Sequence, residues 1–388
     1  MALKVWLKAG HTVEVIGRAV QGFTESTGID VNLQVVPEGE AHDRLLSGDE
    51  RPDVVTVPYW YLDELVDRDV LRPLGGRTEA GGIDWDPFPS AAVGALSREG
   101  VPWAVPHTLT GGLLSYRADL VASLGEDPPR TTEDVLRLAR RLSDPEGGMY
   151  GLVARGSVEF SSLETYAGWA WAGGHRLLPA SGDPEPASVA AAIGDLVEAL
   201  RVTGPPDLTS RDYAAVGNLV QEGRAALLLD TSAWGFFLED RTSSSVAGRM
   251  DYAVVQGPAA PVQFLYAEGL GITRWCTRPD EAAAFLGWRH SEDVVRREIR
   301  EVGRLDLPRT DLENRDWYRD EVERRGLGDY LAAVRRSWAA ADPAHVPTRT
   351  DFVPQARQVM GAVAAVLDGR ADDLTTALRA QPSAGGHG

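Results

Sequence analysis

The sequence predicts an α/β protein in which parallel strands are covered by helices on both faces. Three observations carry that prediction. Apolar residues switch repeatedly between a period of two and a period near that of a helix. The run Val54–Val57, apolar but for Thr56, reads as a strand buried on both sides. The chain has 388 residues, 43% of them hydrophobic, which suffices for two to three domains with sizeable cores.

The elements follow in order. Leu3, Val5 and Leu7 alternate as a first strand; Val13, Ile16, Val20 and Phe23 then mark one face of a helix, and Gly28 supplies its C-cap. Ile29, Val31, Leu33 and Val35 make the next strand, so the first hundred residues or so read as β-α-β-α-β. A second region starts near Gly111. Leu113–Tyr116 reads as a strand, Thr132 with Asp134 caps a helix carrying Val135, Leu138 and Leu142, and Tyr150–Ala154 is another strand. Ser181–Pro186, rich in Pro, Gly and acids, is a surface loop. Ala225–Leu229 is a strand and Gln256–Pro261 an extended connection. Val353, Ala356, Met360, Val363 and Leu367 share a helix face, and Gln381–Gly388 reads as a disordered tail.

Composition removes several function classes. A net charge of -18 argues against nucleic acid or an anionic membrane as partner, since both need a basic face. Of the 39 Lys and Arg residues only Lys4 and Lys8 are lysines, which reads as a compositional bias without functional content. Cys276 is the single cysteine, so there is no intramolecular disulfide and no cysteine metal cage; between Trp275 and Thr277 it reads as an inert core thiol. The seven histidines are scattered with no i, i+4 pair, so no metal site is expected. No apolar run reaches the roughly 18 residues that span a bilayer.

Several motifs then fall in a telling order. Trp103-Ala104-Val105-Pro106 leads into Gly111–Leu120, where Tyr116, Asp119 and Leu120 are notable; Pro52–Val57 precedes them. Gly223-Arg224-Ala225-Ala226-Leu227 runs on to Asp230, Thr231, Ser232 and Trp234; Glu281–Trp288 and Leu307-Pro308-Arg309 follow. Together they resemble the extracellular solute-binding proteins of the maltose-binding type, which capture sugars for ABC importers. Arg117 departs from the Asn usual after the tyrosine, which puts the local turn chemistry in doubt.

The resemblance implies a two-lobed periplasmic-binding-protein-like fold (type II), its discontinuous lobes joined by a multi-strand hinge. Residues 1–109 plus 262–310 would form the N-terminal lobe, and 110–261 plus 311–388 the C-terminal one. It also implies a sugar, small oligosaccharide or sugar alcohol captured between lobes by hinge closure, permease subunits of an ABC importer as partners, and a monomer without cofactor. Met1-Ala2 leads straight into a strand, so no signal peptide is read here. A native precursor with an export signal or a lipid anchor, acting outside the cytoplasm, is what the resemblance implies.

Ligands of open α/β sheets bind beyond the carboxyl ends of the strands. That rule nominates His11, Tyr59, Trp60, His107 and Thr108 in the first lobe. In the second it nominates Arg155, Trp169, Trp171, Asp230, Ser232 and Trp234; the returning segment adds Glu268, Gly269 and Arg309. Aromatic faces stack on the C–H surface of a sugar, while carboxylates and guanidinium groups grip its hydroxyls. Each nominee has a structural competitor. Trp169 and Trp171 lie two apart, so on a helix at most one faces a cleft; Asp230 serves equally as a helix N-cap; His11 and His107 serve as packing or hydrogen-bonding residues.

No catalytic machinery is specified. There is no Gly-x-Ser-x-Gly elbow, no P-loop with its lysine, no Gly-x-Gly-x-x-Gly after the first strand and no defined carboxylate pair. The chain therefore reads as a binding protein and not an enzyme. A sugar-modifying enzyme on a two-lobed scaffold stays the alternative, as does the same fold binding a polyamine, an anion or an iron chelate.

Overall fold

The computed structural model describes residues 2–9, 13–75, 83–258, 263–342 and 349–382. Ten strands are present among them: β1 (Leu3–Lys8), β2 (Val31–Val36), β3 (Val54–Pro58), β4 (Ser97–Arg98), β5 (Val101–Pro102), β6 (Ala104–Arg117), β7 (Tyr150–Val153), β8 (Ala225–Thr231), β9 (Met250–Ala253) and β10 (Leu265–Ile272). The chain divides into two compact units. One is Met1–Leu109 with Tyr266–Arg325, the other Thr110–Leu265 with Gly326–Gly388. The chain passes from the first unit to the second within β6 and returns at the head of β10. Its last passage falls after Arg325, against 310 in the sequence reading.

In the first unit β1 lies between β2 and β3, parallel to both, from Leu3↔Val31 to Lys8↔Val36 on one side. β10 then runs antiparallel to β3, from Glu268↔Pro58 to Ile272↔Val54. The sheet is therefore mixed and not purely parallel, because the returning chain enters from the opposite end. The consequence for function is positional: the carboxyl ends of β1, β2 and β3 meet the start of β10 at one edge. Below them Leu3, Val5, Leu7, Val54, Leu270 and Ile272 form the core with Ile16 and Phe23 of the helix Val13–Thr27 and Phe285 of the helix Pro279–Arg289. Phe23 meets the edge of Phe285 at 5.6 Å, an arrangement suited to the ring quadrupoles. Cys276 packs in this core, and burial pushes its thiol up to about 11.

In the second unit β6 pairs antiparallel with β8, from Gly112↔Thr231 to Tyr116↔Leu227, and with β9 through Leu114–Arg117. β7 runs parallel to β8. The carboxyl ends of β7 and β8 thus lie at one edge, beside the point where β6 enters the unit. Buried helices support them, notably Leu163–Ala172, in which every residue is buried, and Phe352–Leu367.

Local chemistry corrects some expectations. Thr131 and not Thr132 caps the helix Thr132–Leu142, and it does so in a reciprocal capping box with Asp134. The strand after Gly28 begins at Val31, leaving Ile29 outside it. Pro186 is the first residue of the helix Pro186–Thr203 and not part of the loop before it. Arg117, the departure from the family pattern, is buried and forks onto Asp119 with bonds of 2.7 and 2.6 Å, so the guanidinium itself closes the turn into the helix Ala118–Ser123.

Candidate functional site

Two polar clusters form at the carboxyl edges, one in each unit. In the first unit β1 ends on Lys8, whose backbone N–H donates to Thr56 Oγ1 on β3. Its ammonium donates to Tyr266 Oη at 2.7 Å, Glu38 Oε2 at 2.9 Å and Glu268 Oε2 at 2.8 Å. Glu38 opens the helix that follows β2, while Tyr266 and Glu268 lie two apart on β10 and share a face. Trp60 donates from Nε1 to Glu38 Oε1 at 2.8 Å, and the Tyr266 hydroxyl donates to Glu268. Burial opposes the charge on Lys8, but Tyr266, Glu268 and Glu38 outweigh it and hold the ammonium well above its ordinary range.

Aromatic rings line the same edge. Trp60 lies 5.0 Å from Tyr59 and 5.0 Å from Tyr266, both tilted, and Tyr59 meets Tyr266 edge-on at 6.2 Å. Polar groups with fixed partners beside a cluster of aromatic faces match what a polyhydroxylated ligand requires.

In the second unit Arg155, just past β7, forks onto Asp230 of β8 with bonds of 3.0 and 2.7 Å, and its remaining nitrogen donates to the Ser161 carbonyl at 3.0 Å. Glu164 lies 3.7 Å from the same guanidinium, and the Tyr213 ring packs at 5.3 Å. The Tyr166 hydroxyl donates to the Arg155 carbonyl at 2.9 Å. Burial opposes the charge on Arg155, and Asp230 overcomes it, leaving the guanidinium firmly protonated. Burial with the neighbouring Asp230 pushes the Tyr166 phenol up.

The other nominees have different surroundings. His11 lies outside the described residues. His107 is buried in the first unit, where desolvation and then the nearby Arg289, His290, Arg304 and Lys8 push its basicity well down. Thr108 is half-buried on β6. Gly269 lies where a side chain would meet Ala104 and Leu96 within 2.7 Å, so it is a packing glycine. Arg309 is committed to Asp311, at 2.7 and 2.5 Å, and to the His290 carbonyl.

Asp230 belongs to β8 and is not a helix N-cap; Ala233 holds that position before the helix Trp234–Leu238. Ser232 is fully buried and ties the chain together: its Oγ accepts from Gly111, and its carbonyl accepts from the Tyr330 hydroxyl at 2.6 Å. Trp234 lies tilted against Tyr213 at 4.8 Å and presses on Gly217 of the helix Tyr213–Gln221. Trp169 donates to Asp195 at 3.0 Å and, with Trp171, belongs to the wholly buried helix; it lines a cavity of about 10 Å³ beside Asp230, Thr165 and Gln263.

Sequence reasoning missed Lys8, Glu38 and Tyr266. Lys8 directly follows the strand Leu3–Leu7 that the sequence marks, yet the rule was applied to His11 beyond it; it would have found Glu38 had the second strand been used. Tyr266 carried a period-two signal with Glu268. Tyr213, by contrast, reaches Arg155 from a helix distant in sequence, and no local pattern marks it.

The sequence profile of the bacterial extracellular solute-binding protein family matches residues 9–294. A mannitol-binding protein of Pseudomonas aeruginosa is 28% identical over 229 residues, covering 57% of this chain and 52% of that protein, so the match spans about half of the relative's length. Among solved structures, a solute-binding protein of an ABC transporter from Agrobacterium vitis with bound D-mannitol superposes with a TM-score of 0.82 at 18% identity, covering 97% of this chain and 95% of the other. One from Agrobacterium radiobacter in complex with ribitol gives 0.84 at 20% identity, covering 98% and 96%. These two likenesses establish the two-lobed fold. The match over residues 9–294, well beyond half of the chain, places this protein in the family of bacterial extracellular solute-binding proteins.

Proposed function

We propose that the protein is the substrate-binding receptor of a carbohydrate ABC importer and that its ligand is a sugar alcohol or a small sugar. The observation that carries the reading is the first unit's edge, where Glu38, Glu268 and Lys8 sit among Tyr59, Trp60 and Tyr266. Glu268 Oε2 serves Lys8 and Tyr266, leaving its other oxygen as an acceptor for ligand hydroxyls. Mannitol and ribitol are the ligands of the similar proteins named above, which supports an acyclic polyol. Arg155 and Asp230 are proposed as the second unit's contribution, and lobe closure as the means of capture. The remaining partners are the permease subunits of an importer, and a lipid anchor on the native precursor would keep the receptor at the cell surface.

Titration calorimetry with D-mannitol, ribitol, maltose, spermidine and a ferric chelate tests this. Saturable heat with a polyol or sugar, and recovery of that ligand unchanged, is the expected result. Heat only with spermidine or the chelate, or chemical conversion of the sugar, overturns it. Trp60→Ala removes a stacking face and an indole donor; affinity should fall by about 1–3 kcal/mol with the fold intact.

A further inference from the structure

Lysine is nearly absent from this chain: outside positions 4 and 8, arginine carries every side-chain cation. Lys4 is exposed on β1, whereas Lys8, four residues on, meets three oxygens at 2.7, 2.9 and 2.8 Å. Compositional bias does not explain why a lysine stands there. The geometry does. Three acceptors converging on one nitrogen suit a compact ammonium with three rotatable donors, whereas a guanidinium is a planar fork that spreads its donors over a wider arc.

We infer that Lys8 is the positioning residue of the ligand site, a built-in cation that fixes Glu38 and Glu268 and, through Glu38, the Trp60 indole, so that the site accepts an uncharged polyhydroxylated ligand. This rests on the polyol reading and adds a specificity to it. The ammonium occupies the place a ligand amine would take, and so works against amino-sugars and polyamines. Two carboxylates against one ammonium leave the cluster with a net negative charge, which works against sugar phosphates and uronates. The glutamates keep their acceptor geometry because the charge that balances them belongs to the protein.

Two measurements test it. The first needs no ligand. Protein labelled with ¹⁵N-lysine carries just two side-chain signals, from Lys4 and Lys8. Lys8 is expected to give a slowly exchanging ammonium resonance that stays protected as pH rises through the ordinary lysine range, and to lose that protection in Glu268→Gln. Two signals that titrate together, or no response to Glu268→Gln, overturn the bridging role.

The second compares wild type, Lys8→Arg, Lys8→Met and, as control, Lys4→Arg by calorimetry with D-mannitol, mannitol 1-phosphate and glucamine, the 1-amino analogue of a hexitol. Wild type should prefer mannitol. Lys8→Arg should weaken it by about tenfold or more, as expected for lost charge-assisted bonds. Lys8→Met should shift preference towards glucamine, whose ammonium replaces the missing one, while Lys4→Arg changes nothing. Wild-type affinity in Lys8→Arg with no gain of glucamine by Lys8→Met overturns the inference. Failure of wild type to bind any neutral polyol or sugar overturns the proposed ligand instead, and the labelled-lysine result then decides the bridging role alone.

Discussion

At the scale of single residues, the fork between Arg155 and Asp230 buries a charged pair in the second unit. Asp230 is 1% exposed, so its carboxylate depends on that partner. Arg155→Met should destabilise the protein by about 3–5 kcal/mol, read as a lowered denaturant midpoint, because a buried carboxylate is left uncompensated. An unchanged midpoint would show that water reaches the pair.

His290 makes a second residue-scale prediction. Its ring nitrogens lie 2.8 Å from the Leu286 carbonyl and 2.9 Å from the Pro106 carbonyl, and a neutral imidazole donates to only one of them. Burial and the adjacent Arg289 nevertheless depress it to about 3. A histidine lowered in the folded state stays neutral there while the unfolded chain takes up a proton. Its contribution is therefore complete above about pH 6.5 and is lost as pH falls towards about 3, at up to about 1.4 kcal/mol per pH unit. His107, depressed for similar reasons, acts in the same direction. Urea unfolding of wild type and His290→Gln at about pH 7 and about pH 5 should give a smaller acid loss in the variant; equal losses would assign the effect elsewhere. Neither fork nor bridge was legible in the sequence. Arg155 and Asp230 were found singly through their places after strands, but their pairing joins residues far apart in the chain, and periodicity carries no such information.

At the scale of elements, strand and helix order was readable because each core-facing set repeats at its own period. The helix Val13–Thr27 buries Val13, Ile16 and Phe23, three of the four residues that marked its face. Ends were harder. Asp230-Thr231-Ser232 is good cap chemistry, yet pairing of Thr231 with Gly112 prolongs the strand and moves the cap to Ala233. Trp234 shows why aromatic candidates are ambiguous: a Cβ on Gly217 would lie 2.0 Å from its ring, so the helix Tyr213–Gln221 carries a glycine to admit the indole. Gly217→Ala should therefore cost about 1–3 kcal/mol by overpacking, measured by denaturant unfolding. A neutral result would mean that the helix and the indole separate easily.

At the scale of the whole molecule, two units with their own cores and several chain passages are the requirement for a receptor that closes. Capture by closure predicts that small-angle scattering records a smaller radius of gyration when the ligand that calorimetry identifies is added. It also predicts an unfolding free energy higher by about 4 kcal/mol at a thousandfold excess over the dissociation constant. Stabilisation without compaction would keep the ligand and remove the closure. The fold was legible at this scale because motif order along most of the chain constrains topology strongly. Ligand identity was not, since it depends on which few side chains at the strand ends face a ligand, and the periodicity that marks strands and helices carries no such information.

The lone thiol of the first unit's core has a practical corollary. Cys276 is 3% exposed and its proton is held to about pH 11, so at neutral pH it offers almost no thiolate to an alkylating reagent. A cysteine placed at exposed Val35, next to the strand end that leads to Glu38, would be the single addressable sulfur without any change to the native one. A maleimide dye attached there would report on that edge, so one substitution would turn the protein into a fluorescent reporter of whatever ligand binds there.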